Sequence, residues 1–141
     1  MLNLFLDADI ILDLLAKREP HYQFAARLFT LIDKAEVNAF TSPVIIANIH
    51  YILQKSSNRE MALLYIRKLK SLVKILSVDE KIIEQALNSN FKDFEDAIQY
   101  YTAINNSINF IITRNKQDYK DSKIPIATAE EFLTMLASNS L

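Results

Sequence analysis

The chain has no cysteine, no glycine and no tryptophan, and only 3 prolines and 2 histidines among its 141 residues. Without cysteine there is no disulfide, thiol nucleophile, iron–sulfur cluster or thiolate-bound zinc, and a reducing, intracellular compartment fits. The lack of glycine excludes more. A Walker loop, a dinucleotide fingerprint and a serine nucleophile elbow all need glycine where backbone approaches phosphate or turns sharply. The two histidines, His21 and His50, are too few for a histidine-rich metal cage. Charge of one sign is also missing: 16 basic residues face 17 acidic ones, a net charge of -1. No global excess holds nucleic acid or an anionic membrane non-specifically. No apolar run approaches the ~18 residues of a membrane span, and the start lacks the basic and apolar regions of a signal peptide. The expectation is a soluble, cytoplasmic protein without membrane contact. The chemistry left is that of carboxylate, amide, hydroxyl and amine, so any catalysis is expected to be carboxylate catalysis.

What is present is a 50% hydrophobic chain of single-domain length, taken as one unit over residues 1–141. Short apolar runs at 2–6, 36–42, 73–77, 108–113 and 124–127 read as strands. Between them, residues 9–16, 22–34, 43–55, 59–72, 79–88, 93 onward and 129–137 read as helices, with a helical turn from Asn115. Ser42-Pro43 supplies an N-cap followed by proline at the first helical position. Phe24, Leu28, Leu31 and Ala35 are expected on one buried face. Leu63, Ile66 and Leu69 are expected on another, and Phe94, Ala97, Ile98, Tyr101 and Ile104 on a third. With no glycine available, Asn88, Asn90, Asn105 and Asn106 are the expected left-handed helix stops.

Alternation of strand and helix implies a parallel sheet covered on both faces. Ligands in such folds bind beyond the carboxyl ends of the strands. There the sequence places Asp7, then Thr41 and Ser42, then Thr113 to Asp118. The acidic stretch Lys92-Asp93-Phe94-Glu95-Asp96 opens the helix leading into the strand at 108–113. Carboxylates converging from several elements repel one another unless a cation lies between them, and hard cations such as Mg²⁺ take oxygen ligands with several retained waters. Each acid also has an ordinary structural role open to it. Asp7 ends a strand, Asp9 caps the helix that follows, Asp13 faces water, and Asp93 is an N-cap with Asp96 in the first turn. Lys55, Arg59, Arg67, Lys68, Lys70 and Lys74, with Tyr65 among them, read either as a solvated helix face or as a track for RNA or a protein partner. Arg114 is the best single candidate for a phosphate contact, with pairing to a neighbouring acid as its alternative.

Three segments carry a resemblance. Phe5-Leu6-Asp7-Ala8-Asp9-Ile10-Ile11-Leu12-Asp13, Phe94-Glu95-Asp96-Ala97 and Ile112-Thr113-Arg114-Asn115-Lys116-Gln117-Asp118 follow the order and spacing of PIN domains. Ile124-Pro125-Ile126 and Glu130-Glu131-Phe132-Leu133 look like the end of that fold. The resemblance implies a three-layer α/β/α sandwich around a parallel sheet. It also implies a Mg²⁺- or Mn²⁺-dependent ribonuclease, of the kind that includes the VapC toxins of toxin–antitoxin pairs. By this resemblance Asp7, Asp96 and Asp118 are the catalytic, metal-holding acids, with Thr113 and Asn115 as small polar neighbours. The chain departs from the pattern at Asn48, where the family usually has a glutamate. Asp9, where the family more often has asparagine, is expected to restore one charge as a further metal ligand, with Asn48 and Asp93 supporting.

A second reading is a PIN-like RNA- or protein-binding module whose nuclease activity is weak or absent because of Asn48. A third, a phosphatase similar to the haloacid dehalogenases, starts from Asp7-Ala8-Asp9 but lacks the following Gly-Thr. Expected partners are RNA, an antitoxin protein and a second copy of the chain, the last through the helices at 22–34 and 43–55.

Overall fold

A computed structural model of the chain describes residues 1–139 and 141. The first strand, β1 (Asn3–Leu6), is central and apolar, with Leu4, Phe5 and Leu6 fully buried, as befits a strand covered on both faces. β2 (Asn38–Thr41) and β4 (Phe110–Ile112) flank it, β3 (Lys74–Ile75) lies outside β2, and β5 (Ile126–Ala127) lies outside β4. Every pairing is parallel, and Phe5 stands opposite both Phe40 and Ile111.

The helices α1 (Ala8–Leu15) and α2 (Tyr22–Asp33) link β1 to β2, and α3 (Pro43–Ser56) and α4 (Arg59–Lys70) link β2 to β3. The helices α5 (Glu80–Leu87) and α6 (Phe94–Ile104) lead into β4, a 3-10 turn (Lys116–Tyr119) joins β4 to β5, and α7 (Ala129–Ala137) closes the chain. The first two connections step one way across the sheet and the third steps back past β1. Right-handed crossovers therefore put the connecting helices on opposite faces, and the result is the three-layer α/β/α arrangement. Side chains fix where the helices begin. Ser42 accepts from Ile45, Asn58 from Met61, Asp79 from Ile82 and Asp93 from Asp96, and Thr128 and Glu131 form a capping box, each worth about 1 kcal/mol. Among the described residues no helix is long and apolar enough to cross a membrane.

Several expectations need correction. The strands are shorter than the apolar runs: β3 holds only Lys74–Ile75, and β5 only Ile126–Ala127. Single backbone bonds such as Leu76 N–H to Thr41 O (2.9 Å) and Ile111 N–H to Pro125 O (3.0 Å) carry the pairing slightly further. The buried face of α2 is Ala25, Leu28, Phe29 and Ile32, so it is rotated toward Phe29, and Ala35 is exposed. In α4 the buried residues are Ala62 and Leu69, with Leu63 and Ile66 half-buried. In α6 Phe94 and Ile104 are exposed, whereas Gln99, Tyr100, Thr102 and Ala103 are buried. The cause is that α6 packs against α5 on one side and the main core on another, so its buried arc is wide. The left-handed positions are Lys17, Ala35, Ser107 and Asn139 rather than the four asparagines. Lys17 and Ala35 each follow a helix whose last carbonyls are taken by a Schellman pair. Lys17 and Arg18 donate to Leu14 and Asp13, and Ala35 and Glu36 donate to Ile32 and Leu31. That geometry is imposed by the bonds and by the next residues' packing, whichever side chain stands there.

Candidate active site

The backbone of β1 ends by donating from Asp7 N–H to Ile112 O at 3.0 Å, which sets the carboxyl ends of β1 and β4 side by side. Asp7 caps α1, its Oδ1 accepting from Ala8 N–H at 2.9 Å. Its Oδ2 accepts from Thr113 Oγ1 at 2.9 Å and from Tyr119 Oη at 3.3 Å. Both donors come from the chain that follows β4, so a residue early in the sequence is held by residues more than a hundred positions later. Burial and the neighbouring Asp9 push the Asp7 carboxyl up to about 6, against the pull of these three donors. Tyr119, buried beneath it, is pushed up by its burial and by Asp7, and stays a neutral donor.

Asp9 is not the helix cap, a place that Asp7 occupies; it lies in the first turn of α1. Its Oδ2 accepts from Arg114 N–H (3.0 Å) and Asn115 Nδ2 (3.2 Å), with Thr113 Oγ1 at 3.4 Å. Its Oδ1 is buried without a hydrogen-bond partner. Burial raises its carboxyl, with the Arg114 amide and guanidinium opposing. Asp13, one turn on, does not face water. It is 1% exposed and receives Arg18 Nε at 3.1 Å and a two-pronged contact from Arg114, Nε at 2.8 Å and Nη2 at 3.1 Å. The Arg114 guanidinium, strengthened as a cation chiefly by its hydrogen bonds to Asp13, thus faces an acid of α1. Arg18 continues to Asp9 O at 3.3 Å, and the three charged groups tie the α1–α2 loop to the end of β4.

From the other face, Asp93 caps α6 through Asp96 N–H at 3.0 Å. The Asp96 carboxyl is pushed up to about 7, first by burial and then by Asp93, Asp118, Asp7 and Glu95. These acids come from the residue that follows β1, from the start of α6 and from the 3-10 turn, and Asp7, Asp93, Glu95, Asp96 and Asp118 line one cleft. Asn48 donates from Nδ2 to Glu95 Oε1 at 2.6 Å, and Ser42 Oγ donates to Gln99 Oε1, also at 2.6 Å, so α3 is stitched to α6 at the same end of the sheet. Together Asp7, Asp9, Asn48, Asp96, Asn115 and Asp118 line a cleft of about 380 Å³, with Arg18, Asp93 and Glu95 in the same lining.

Among the described residues no three His, Cys, Asp or Glu side chains form a ready-made metal cage. The donor set still fits a hard divalent cation. Its oxygens are carboxylate and amide, Mg²⁺ uses one or two carboxylates with several waters, and Asp9 Oδ1 is an orphaned acceptor. Asp7 and Asp96 are raised first by burial and then by neighbouring acids, and such an ion offsets both effects.

Of the residues singled out in the sequence, Asp7, Asp9, Asn48, Asp93, Asp96, Asn115 and Asp118 meet in the cleft, Thr113 is buried behind Asp7, and Arg114 is turned to Asp13. The basic residues of α4 and its flanks line none of the clefts described. Sequence reasoning missed Tyr119, Glu95, Gln99 and Arg18. Glu95 was visible as part of the acidic helix start, but nothing local marks the partner that Asn48 gives it. Tyr119 follows Asp118 directly, and its role exists only because the 3-10 turn folds back over β1.

Comparison with known proteins gives one family. Residues 3–117 match the family described as PIN domain. Ribonuclease VapC1 of Aquifex aeolicus is 25% identical over 135 residues, covering 92% of each chain. Among solved structures, DNA-bound VapBC from Salmonella typhimurium superposes with a TM-score of 0.69 at 16% identity, over 92% of this chain and 99% of that one. The sarcin–ricin-loop-cleaving toxin VapC20 of Mycobacterium tuberculosis gives 0.61 at 17% identity, over 77% and 86%. These likenesses carry the fold.

Proposed function

The chain belongs to the PIN domain family, and on that premise we propose that it is a Mg²⁺- or Mn²⁺-dependent ribonuclease, the toxin of a toxin–antitoxin pair. The observation that carries this reading is the meeting of Asp7, Asp96 and Asp118 in one cleft at the carboxyl end of the sheet, where burial and neighbouring acids raise Asp7 to about 6 and Asp96 to about 7. Asp7, Asp96 and Asp118 are the residues that would hold the cation, with Asp9 as a further oxygen donor. A divalent ion held by them would supply Lewis-acid chemistry, activating water and offsetting charge on the phosphodiester. The chain's own residues set the stage. Thr113 and Tyr119 fix one oxygen of Asp7 and the start of α1 fixes the other. Asn115 orients Asp9, and Asn48 holds Glu95 at the mouth of the cleft. An antitoxin is the expected protein partner. A second copy of the chain is the other, and α3 offers exposed Tyr51 and Ile52 for it.

One residue favours the second reading, a binding module without turnover. Asn48 brings an amide, and no charge, to the cleft. Calorimetric titration of Mn²⁺ into the wild type and Asp96→Asn, paired with an RNA cleavage assay, separates the two. Micromolar binding abolished by the substitution, with metal-dependent cleavage, supports the nuclease. No binding at millimolar Mn²⁺ and intact RNA hands the site to the binding module.

A further inference from the structure

At Asp93, Asp96 and Asp118 the acidic cleft opens into a second one of about 600 Å³, on the side of the 3-10 turn. Its wall is aromatic. The Phe91 ring lies 5.1 Å from Tyr100, tilted by 36°, and meets Tyr101 and Tyr119 edge-on, each at 6.3 Å. Tyr100 and Tyr119 are buried, while Phe91 and Tyr101 are only partly covered. This ring cluster reaches the acidic centre directly, because Tyr119 is the residue that donates to Asp7.

The rim carries Lys92, Lys120 and Lys123, all exposed. Among the described residues none of these ammonium groups has an ion-pair partner; the lysine that does, Lys116, is engaged with Glu131. The segment bearing Lys123 is fixed by its backbone, Lys123 N–H donating to Tyr100 Oη at 3.0 Å and Ser122 Oγ to Ile124 O at 2.7 Å. Asp93, Asp96, Asp118 and Asp121 lie in the same lining. Four carboxylates against three ammonium groups leave the metal-free cleft without net attraction for a polyanion, and a divalent cation at the Asp96 end reverses that balance.

We propose that this cleft seats the nucleotide beside the scissile phosphate of a single-stranded RNA. Its base lies on Phe91 and Tyr101, its outer phosphate on Lys120 and Lys123 with Lys92 opposite, and it fills only with the cation in place. The chemistry matches the general form of single-strand sites, which combine a cationic track with aromatic faces that accept any base. The inference rests on the nuclease reading above and adds which side of the acidic centre the strand leaves by.

The test is fluorescence anisotropy of a short labelled single-stranded RNA with the intact protein, in Ca²⁺ and in EDTA across a salt series. The variants are Lys120→Ala/Lys123→Ala, Tyr101→Leu, and Lys68→Ala/Lys70→Ala on α4 as the distant comparison. Expected are binding at least tenfold tighter in Ca²⁺ than in EDTA and about tenfold weakening by Tyr101→Leu. The cleft lysine pair should lose affinity and flatten the log–log salt slope by about 1.4, at ~0.7 per contact on single strands, while the α4 pair matches the wild type. Loss confined to the α4 pair overturns the seat and moves the strand to that helix. Equal binding in EDTA overturns the metal requirement. A wild type that cleaves RNA while the cleft pair binds normally refutes only the seat. A wild type that neither binds nor cleaves RNA refutes the nuclease reading and this inference together.

Discussion

Asp96→Asn is expected to stabilise the metal-free protein. Among the described residues Asp96 has no side-chain hydrogen-bond partner that the amide would lose; its bond to Asp93 runs through the backbone N–H. What the substitution removes is a partly buried charge repelled by Asp93, Asp118, Asp7 and Glu95. Each tenfold change in proton affinity is worth about 1.4 kcal/mol, so a carboxyl moved from 3.8 to about 7 carries about 4 kcal/mol of unfavourable free energy at face value. Solvent reaches this side chain, and screening reduces the figure to ~1–2 kcal/mol. The sign follows from linkage. Because the folded-state value is raised, the folded protein binds more protons than the unfolded chain between about pH 4 and 7, and stability falls as pH rises through that window. For a chain of 141 residues the effect corresponds to a Tm higher by ~3–6 °C for Asp96→Asn in EDTA at pH 8. The gap should close as pH falls toward 4. Adding Mn²⁺ to the wild type should raise its Tm in the same way, since a ligand of the folded state stabilises it. Thermal melts by circular dichroism across pH decide it. A variant less stable than wild type at pH 8, or a difference indifferent to pH, refutes the account of the acidic cluster as stored repulsion.

Asp13→Asn should destabilise the fold by about 2–3 kcal/mol, because Arg18 and Arg114 lose the buried charge they share; a lowered urea midpoint with unchanged slope would register it. Thr113→Val removes a donor to Asp7 and the acceptor for Asn115 N–H, with an expected loss of ~1–2 kcal/mol in urea melts and weaker Mn²⁺ binding by calorimetry. Asp9→Asn should lower Mn²⁺ affinity by about tenfold if Asp9 supplies the charge that Asn48 lacks. An unchanged affinity would sink that exchange.

Much of this was legible because it depends on short-range chemistry. Ser42-Pro43, Asp79 and Asp93 announce their helices through bonds to residues three positions on, and the apolar run through Leu4, Phe5 and Leu6 announces a central strand. The acids after β1, at the start of α6 and after β4 could be placed at one end of the sheet by topology alone. What escaped depends on contacts between distant segments. Asp13 has the spacing of a solvent-facing residue of α1, yet it is buried, and two arginines from outside that helix reach its carboxylate. The wide buried arc of α6 reflects packing against two neighbours, and a single-stripe reading has no means of expressing that. The lysines of the second cleft stood in an unremarkable stretch of loop, whereas those of α4 drew attention by clustering.

The left-handed residues that close α1 and α2 bear on what the protein can tolerate. A side chain in that conformation costs roughly 1–2 kcal/mol that glycine avoids, and part of the gain is returned by glycine's looser unfolded chain. Ala35, exposed at φ 58 and remote from the acidic cleft, is therefore an untapped reserve of up to ~1 kcal/mol. A chain without a single glycine has room to gain stability at its turns, and so to absorb destabilising change elsewhere. Ala35→Gly offers a sturdier background in which variants of the cleft can be compared by function with less interference from folding.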